Sequence, residues 1–242
     1  ILGPPDFERY VLVLPGDRGT ALSMFTFANQ LRNHLGPRVA VAMVDLQSMA
    51  RQAPLDRPAH FIREQLVQVV RDLGEERLDS VVGASLGGIL AGHLLNALGE
   101  RTTTRVPLCM IDTYAPRILR TGRRWLWKRW AVRLVRYPLA NAVNFVRKRA
   151  SIFSRAEELA PVPAAERETQ WTKQVWRNCF DELAATPLRV PGARVTLIHS
   201  RTTRRFAGIL RWASRNGFSG REFDAIRVVN VDLPHGELLF DQ

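Results

Sequence analysis

The sequence predicts an α/β domain with a doubly wound, mostly parallel sheet, and three observations carry that expectation. Short Val- and Leu-rich runs alternate along the chain with amphipathic segments long enough to be helices. Such alternation implies strands joined by right-handed helical crossovers. One strand passes directly into a helix through a small-residue junction, "SVVGASLGGILAG" at residues 80–92. The length, 242 residues, is enough for one large domain with a substantial core, or for two small ones.

The elements follow in order. "RYVLVLPGD" (9–17) reads as a buried strand that breaks at Pro15-Gly16. "ALSMFTFANQLRNHLG" has helical spacing and a stop at Gly36. "RVAVAMVDLQ" (38–47) is a second strand, and "DRPAHFIREQLVQVVRDLG" (56–74) a helix with Phe61, Leu66, Val67, Val70 and Leu73 on one side. After the junction strand, "LGGILAGHLLNALG" repeats its apolar residues at a helical period and stops at Gly99. "RVPLCMIDTYAP" (105–116), "ARVTLIHS" (193–200) and "FDAIRVVNVD" (223–232) complete the strands. Residues 117–180 break the rhythm. There Trp127, Trp130, Ala131 and Leu134 share a helical face opposite Arg129, Arg133 and Arg136, and "ETQWTKQVWRNCFDEL" reads as a further helix. The chain is thus expected to be a single domain over 1–242, with a helical insertion at 117–180 between two core strands.

Gly83, Ser85 and Gly87 fit G-x-S-x-G. In the nucleophile elbow of α/β hydrolases, that spacing holds a serine on a strained strand-to-helix turn with its hydroxyl pushed outward, and the flanking positions must lack a Cβ so that strand and helix can approach. The alternative is a packing corner. A serine needs a base, and the base needs an orienting carboxylate. Of five histidines, His34 and His60 precede the elbow in or beside helices, and His93 lies two turns down the elbow helix. His199 ends a strand, where a core histidine is the ordinary expectation. His235, in "VNVDLPHGELLF", follows the last strand and has the right topological address for the base. Between Leu183 and Arg221 there is no Asp or Glu, so the loop after "VTLIHS" cannot supply the acid. Asp112 ends "RVPLCMID", where strands of such a sheet deliver site residues. Two other readings stay open: Asp112 as a turn cap, and Asp232 as the acid. The order Ser, Asp, His is that of α/β hydrolases. The oxyanion donors are expected to be the backbone N–H of Leu86 and one from "LPGDRGT", Gly16 ahead of Asp17. That loop lacks both G-x-G-x-x-G and the phosphate-loop Lys-Ser/Thr.

Charge is unevenly spread. The net charge is +12, yet twelve of the 35 basic residues lie between Asp112 and Glu157, where there is no acidic residue. The remaining 23 basic residues match the 23 acidic ones, so one segment holds the whole excess. Two cysteines, Cys109 and Cys179, argue against a disulfide framework and for a reducing, cytoplasmic setting. No apolar run reaches the roughly 18 residues of a spanning helix, and the start has no signal-peptide pattern. The first residue, Ile1 rather than Met, reads as an excised domain or a trimmed chain.

These residues resemble the thioesterase domains that end modular polyketide synthases and nonribosomal peptide synthetases. "VLVLPGDRGTALSMFTFANQL" is similar to that family's opening strand, oxyanion loop and helix. "VVGASLGGILAGHLLNAL" is similar to the elbow, "LCMIDTYAP" to the acid strand and "PHGELL" to the histidine loop. Asp112 lies 27 residues after Ser85, and most other α/β hydrolases carry the acid one strand later. Leu14-Pro15 stands where His-Pro is common, and Asp17-Arg18 occupies a usually small, apolar loop.

The resemblance implies an α/β-hydrolase fold with the 117–180 insertion as a helical lid, and no metal or cofactor. It implies a Ser85 acyl-enzyme formed from a chain held on the phosphopantetheine of an acyl or peptidyl carrier domain, on the same polypeptide or complex. Release would be by hydrolysis or by intramolecular cyclisation. Arg129, Arg133 and Arg136 would meet an acidic carrier or the phosphate of its arm. An anionic membrane, nucleic acid or bare solvent are the rival partners for those arginines. Neither a membrane nor nucleic acid explains a cluster inserted between the acid and base of a triad. A free-standing esterase or lipase is the rival enzyme, and a non-catalytic hydrolase-fold binding module the rival outside enzymes.

Overall fold

The computed structural model describes residues 1–16, 20–115, 164–201 and 215–233. Among these residues six strands form one sheet: β1 (Arg9–Leu14), β2 (Val39–Met43), β3 (Leu78–Ala84), β4 (Leu108–Ile111), β5 (Arg194–His199) and β6 (Ala225–Asn230). Their order is β2-β1-β3-β4-β5-β6 and every pair is parallel. The doubly wound parallel sheet expected from the sequence is therefore the one observed, strand for strand.

Strands in such a sheet are covered on both faces, and alternate side chains serve opposite layers. Tyr10, Leu12 and Leu14 enter the larger core with Leu66, Val70, Leu90 and Leu94. Val11 and Val13 join Met24, Ala28, Val41 and Ile111 on the other side. The larger layer is built by α2 (Leu46–Gln52), α3 (Pro58–Leu73), α4 (Leu86–Leu98) and α6 (Ala164–Ala185), with the short α5 (Glu100–Arg105) after α4. The other side holds α1 (Phe25–His34).

The sequence suggests one helix over 21–36, but the structure opens that segment with a 3₁₀ turn, Ala21–Met24, before α1. Met24 carries φ −114° and ψ 7°, outside the α region, which separates the two pieces. The expected helix "ETQWTKQVWRNCFDEL" is present within α6, and it is tied into the main core. Val175, Cys179 and Leu183 are buried there. The Glu182 carboxylate accepts the N–H groups of Ala59 at 2.7 Å and His60 at 3.0 Å. Those are donors at the start of α3 that lack intrahelical acceptors, and an anion there also suits the helix dipole. Asn178 donates to the Leu55 carbonyl at 2.7 Å. Residues 117–163 of the expected insertion, with Trp127, Trp130, Arg129, Arg133 and Arg136, lie outside the described residues.

His93 is buried in α4. Burial pushes its imidazole down to about 4, and the positive charge of Arg63 adds to the effect. The neutral ring is thus the folded form, while the unfolded chain titrates near 6.5. Stability should fall as pH drops from about 6.5 to about 4, by roughly 2 kcal/mol from this residue. Denaturant titrations at pH 7 and pH 4.5 should show that His93→Leu loses about that much less than the unmodified chain between the two pH values. Equal losses would remove His93 as the cause.

Candidate active site

The sheet reverses its winding at β1: β2 lies on one side of it and β3 on the other. In open parallel sheets the crevice at such a switch point, beyond the carboxyl ends of the strands, is where sites form. The register lines up the residues delivered there. Leu14 pairs with Gly83, Ala84 with Ile111, and Ile111 with Ile198. One row along the same edge thus brings Gly16, Ser85, Asp112 and His199 to the ends of four adjacent strands.

Ser85 has φ 50° and ψ −116°, a turn that a β-carbon makes unfavourable, and it precedes the first residue of α4. The neighbouring glycines permit that turn. A β-carbon on Gly83 would lie 2.5 Å from the Gly87 carbonyl oxygen, and one on Gly87 would overlap the Pro15 carbonyl. Ser85 N–H donates to the Ile111 carbonyl at 2.8 Å, which ties the elbow to β4 one residue before Asp112. Ser85 is half-buried while Ala84 and Leu86 are buried, so the turn lifts this one side chain toward solvent.

Leu86 opens α4, so its N–H has no intrahelical acceptor and sits at the positive end of a 13-residue helix. Gly16 lies against the elbow: a β-carbon there would be 3.4 Å from both the Ser85 Cβ and the Ala84 carbonyl oxygen. The two expected oxyanion donors therefore flank Ser85. Asp17 and Arg18 lie outside the described residues.

Asp112 is buried, only 3% exposed, and adopts φ 47° directly after β4. Its N–H donates to the Ile198 carbonyl at 2.9 Å, and its carboxylate accepts the Ser200 N–H at 2.8 Å. Asp232, the other acid considered, is 77% exposed and pairs with Arg201 at 3.0 Å. His235 lies outside the described residues. The last described residue, Leu233, is two positions before it, and its carbonyl accepts the Arg201 N–H at 2.8 Å. His199 is buried at the end of β5. His60 sits between Arg63 and Glu64, at 2.6 and 2.9 Å, and His34 is exposed.

Two contacts escape a reading of the sequence. A β-carbon on Gly88 would overlap the Thr113 hydroxyl, so the second glycine of "LGG" exists to admit the residue after Asp112. Asn216, fully buried, donates from Nδ2 to the Thr113 carbonyl at 2.8 Å. The Asn216-Gly217 pair was the available signal, being a common turn dipeptide. Among the described residues no cluster of His, Cys, Asp and Glu could hold a metal, and no helix is long and apolar enough to cross a membrane.

A parallel sheet with a strained strand-to-helix turn at Ser85 is the architecture of a hydrolase family. The profile of the alpha/beta hydrolase family matches residues 11–238, and the chain belongs to that family. No curated protein matches it. Among solved structures it is similar to the NocB thioesterase domain from the nocardicin cluster, at 16% identity and TM-score 0.60, over 98% of this chain and 89% of that one. It is also similar to the RedJ thioesterase of the prodiginine pathway in Streptomyces coelicolor, at 17% identity and TM-score 0.55, over 99% and 87%. The type II thioesterase BorB from the borrelidin cluster matches at 17% identity and TM-score 0.52, over 99% and 89%. At such identities the likeness is one of fold.

Proposed function

We propose that this chain is a serine thioesterase that frees an acyl or peptidyl chain from the phosphopantetheine arm of a carrier domain. The observation that carries the reading is the adjacency of Ser85 and Asp112 at the ends of neighbouring strands, with the acid directly after the strand that follows the elbow helix. That is where the sequence resemblance would put it. The fold shared with NocB, RedJ and BorB, each named as a thioesterase, supports the same reading.

In this mechanism Ser85 Oγ attacks the thioester carbonyl carbon while His235 takes the hydroxyl proton. The C–S bond breaks, the departing sulfur receives that proton, and the acyl group remains as an ester on Ser85. Water, or a hydroxyl or amine of the chain itself, then attacks the ester, and His235 returns a proton to Ser85. The Leu86 and Gly16 N–H groups stabilise the oxyanion of each addition. Asp112 fixes the tautomer of His235 and stabilises its charged form. Leu233, two positions before His235 in the sequence, is tied by its carbonyl to the Arg201 N–H, and the neighbouring Ser200 N–H binds the Asp112 carboxylate.

Arg129, Arg133 and Arg136 would dock the acidic carrier. The test compares an acyl group on a carrier domain with the same group on N-acetylcysteamine, following released thiol and the form of the product. A preference for the carrier-bound form that weakens with added salt, and disappears when the three arginines become Glu, is expected. Equal losses on both substrates would leave the arginines without a docking role. Faster turnover of simple oxygen esters than of every thioester would shift the reading to an esterase.

A further inference from the structure

Asp112 poses a problem that its own strand does not solve. A non-glycine residue at positive φ costs on the order of 1–3 kcal/mol and persists only where its surroundings impose it. The ladder to β5 fixes the N–H of Asp112 and the Ser200 N–H fixes its carboxylate. The next three residues, Thr113 to Ala115, leave the sheet and have to be held by something else.

Asn216 holds that segment at two points. Asn216 donates from Nδ2 to the Thr113 carbonyl at 2.8 Å, and its own backbone carbonyl accepts the Ala115 N–H at 2.9 Å. The partner being a carbonyl, only the NH₂ side of the amide can face it, which fixes the orientation of the side chain. Asn216 (φ 47°) and Gly217 (φ 81°) are the central residues of a turn closed by Phe218 N–H to the Arg215 carbonyl at 2.8 Å. Positive φ at both centres is the requirement of a type I′ turn, and Asn-Gly is the pair that meets it. Such turns normally face water. This one is buried at Asn216, with Phe218 packed against Phe223 at 5.3 Å between ring centroids. The Asn216 Oδ1 is buried without a hydrogen-bond partner among the described residues, so the side chain is anchored through its NH₂ side.

On its other side Thr113 meets the elbow. Its side chain fills the space left by the missing β-carbon of Gly88, three residues after Ser85. Its hydroxyl donates to the Ile111 carbonyl at 3.3 Å, the same oxygen that accepts the Ser85 N–H. Asn216, Thr113 and Gly88 thus form one line of contacts from a distant turn, through the residue after the acid, to the helix that starts at the nucleophile.

We propose that Asn216 is a positioning residue, holding the Asp112–Ala115 segment so that the carboxylate keeps its place relative to Ser85. The proposal rests on the triad reading above. Asn216→Gly keeps the left-handed turn and removes the donor. Measured with an acyl N-acetylcysteamine thioester, it should lower kcat about ten- to hundred-fold with KM within about two-fold, since substrate contacts remain while the acid is misplaced. Labelling of Ser85 by a fluorophosphonate should slow by the same factor. In an Asp112→Asn background the added loss should be under about two-fold, because the residue would have no carboxylate left to position. If Asn216→Gly does not fold, Asn216→Asp carries the same expectations, tolerating positive φ without donating. An unchanged kcat, or a loss that multiplies in full with that of Asp112→Asn, would overturn the positioning role while the triad stands. Failure of the unmodified chain to label at Ser85 would overturn the triad and this proposal together.

Discussion

Ser85→Ala is expected to lower thioester turnover on the order of 10³-fold or more, with the unfolding midpoint nearly unchanged. The asymmetry follows from the local structure. The Ser85 side chain caps no N–H of α4, and its backbone, not its hydroxyl, makes the bond to Ile111. Alanine keeps the β-carbon and therefore the same strain at φ 50°. Only the hydroxyl is lost, from a half-buried position that leaves no sealed cavity. Substrate binding should survive, so the loss belongs in kcat rather than KM. Steady-state kinetics together with a thermal melt checks it. A large fall in the melting temperature, or turnover within about ten-fold of the unmodified chain, would contradict the role.

Asp112→Asn should cost on the order of 10²- to 10⁴-fold in turnover. Asparagine can still accept the Ser200 N–H, so the buried position keeps its bond and the fold should persist. What disappears is the negative charge that orients the base and stabilises it once protonated. Asp232→Asn is the control. Its carboxylate is exposed and engaged with Arg201, so neutralising it should change turnover by less than about two-fold. The reverse ranking of the two variants would transfer the acid to Asp232.

The features legible in the sequence are those whose causes are local. A glycine two residues from a serine constrains the turn between them, and Gly83 and Gly87 do so by contacts of 2.5 Å and less. The six strands stand out because a parallel sheet buries both faces, leaving apolar runs in "YVLVL" and "VAVAM". Asp112 stands out as the candidate acid because no Asp or Glu lies between residues 183 and 221, the stretch that holds β5 and the loop after it. Short helices escaped. The seven residues of α2 and the six of α5 are too few to show a period, although Asp45 caps α2 by accepting from Gln47 and Ser48. Contacts made across long stretches of chain escaped too. Glu182 caps a helix that starts 124 residues earlier, and Asn216 grips a carbonyl 103 residues away. Nothing in either residue's neighbourhood announces its partner.

The most direct test of the serine mechanism is the mass of the chain after brief exposure to an acyl N-acetylcysteamine thioester, with digestion and peptide mapping. A serine nucleophile on this elbow predicts a gain equal to the acyl group less one hydrogen, on the peptide that contains "GASLGG", and no gain in Ser85→Ala. An adduct on any other residue, or thiol release by the unmodified chain with no adduct at Ser85 under rapid quench, would contradict it.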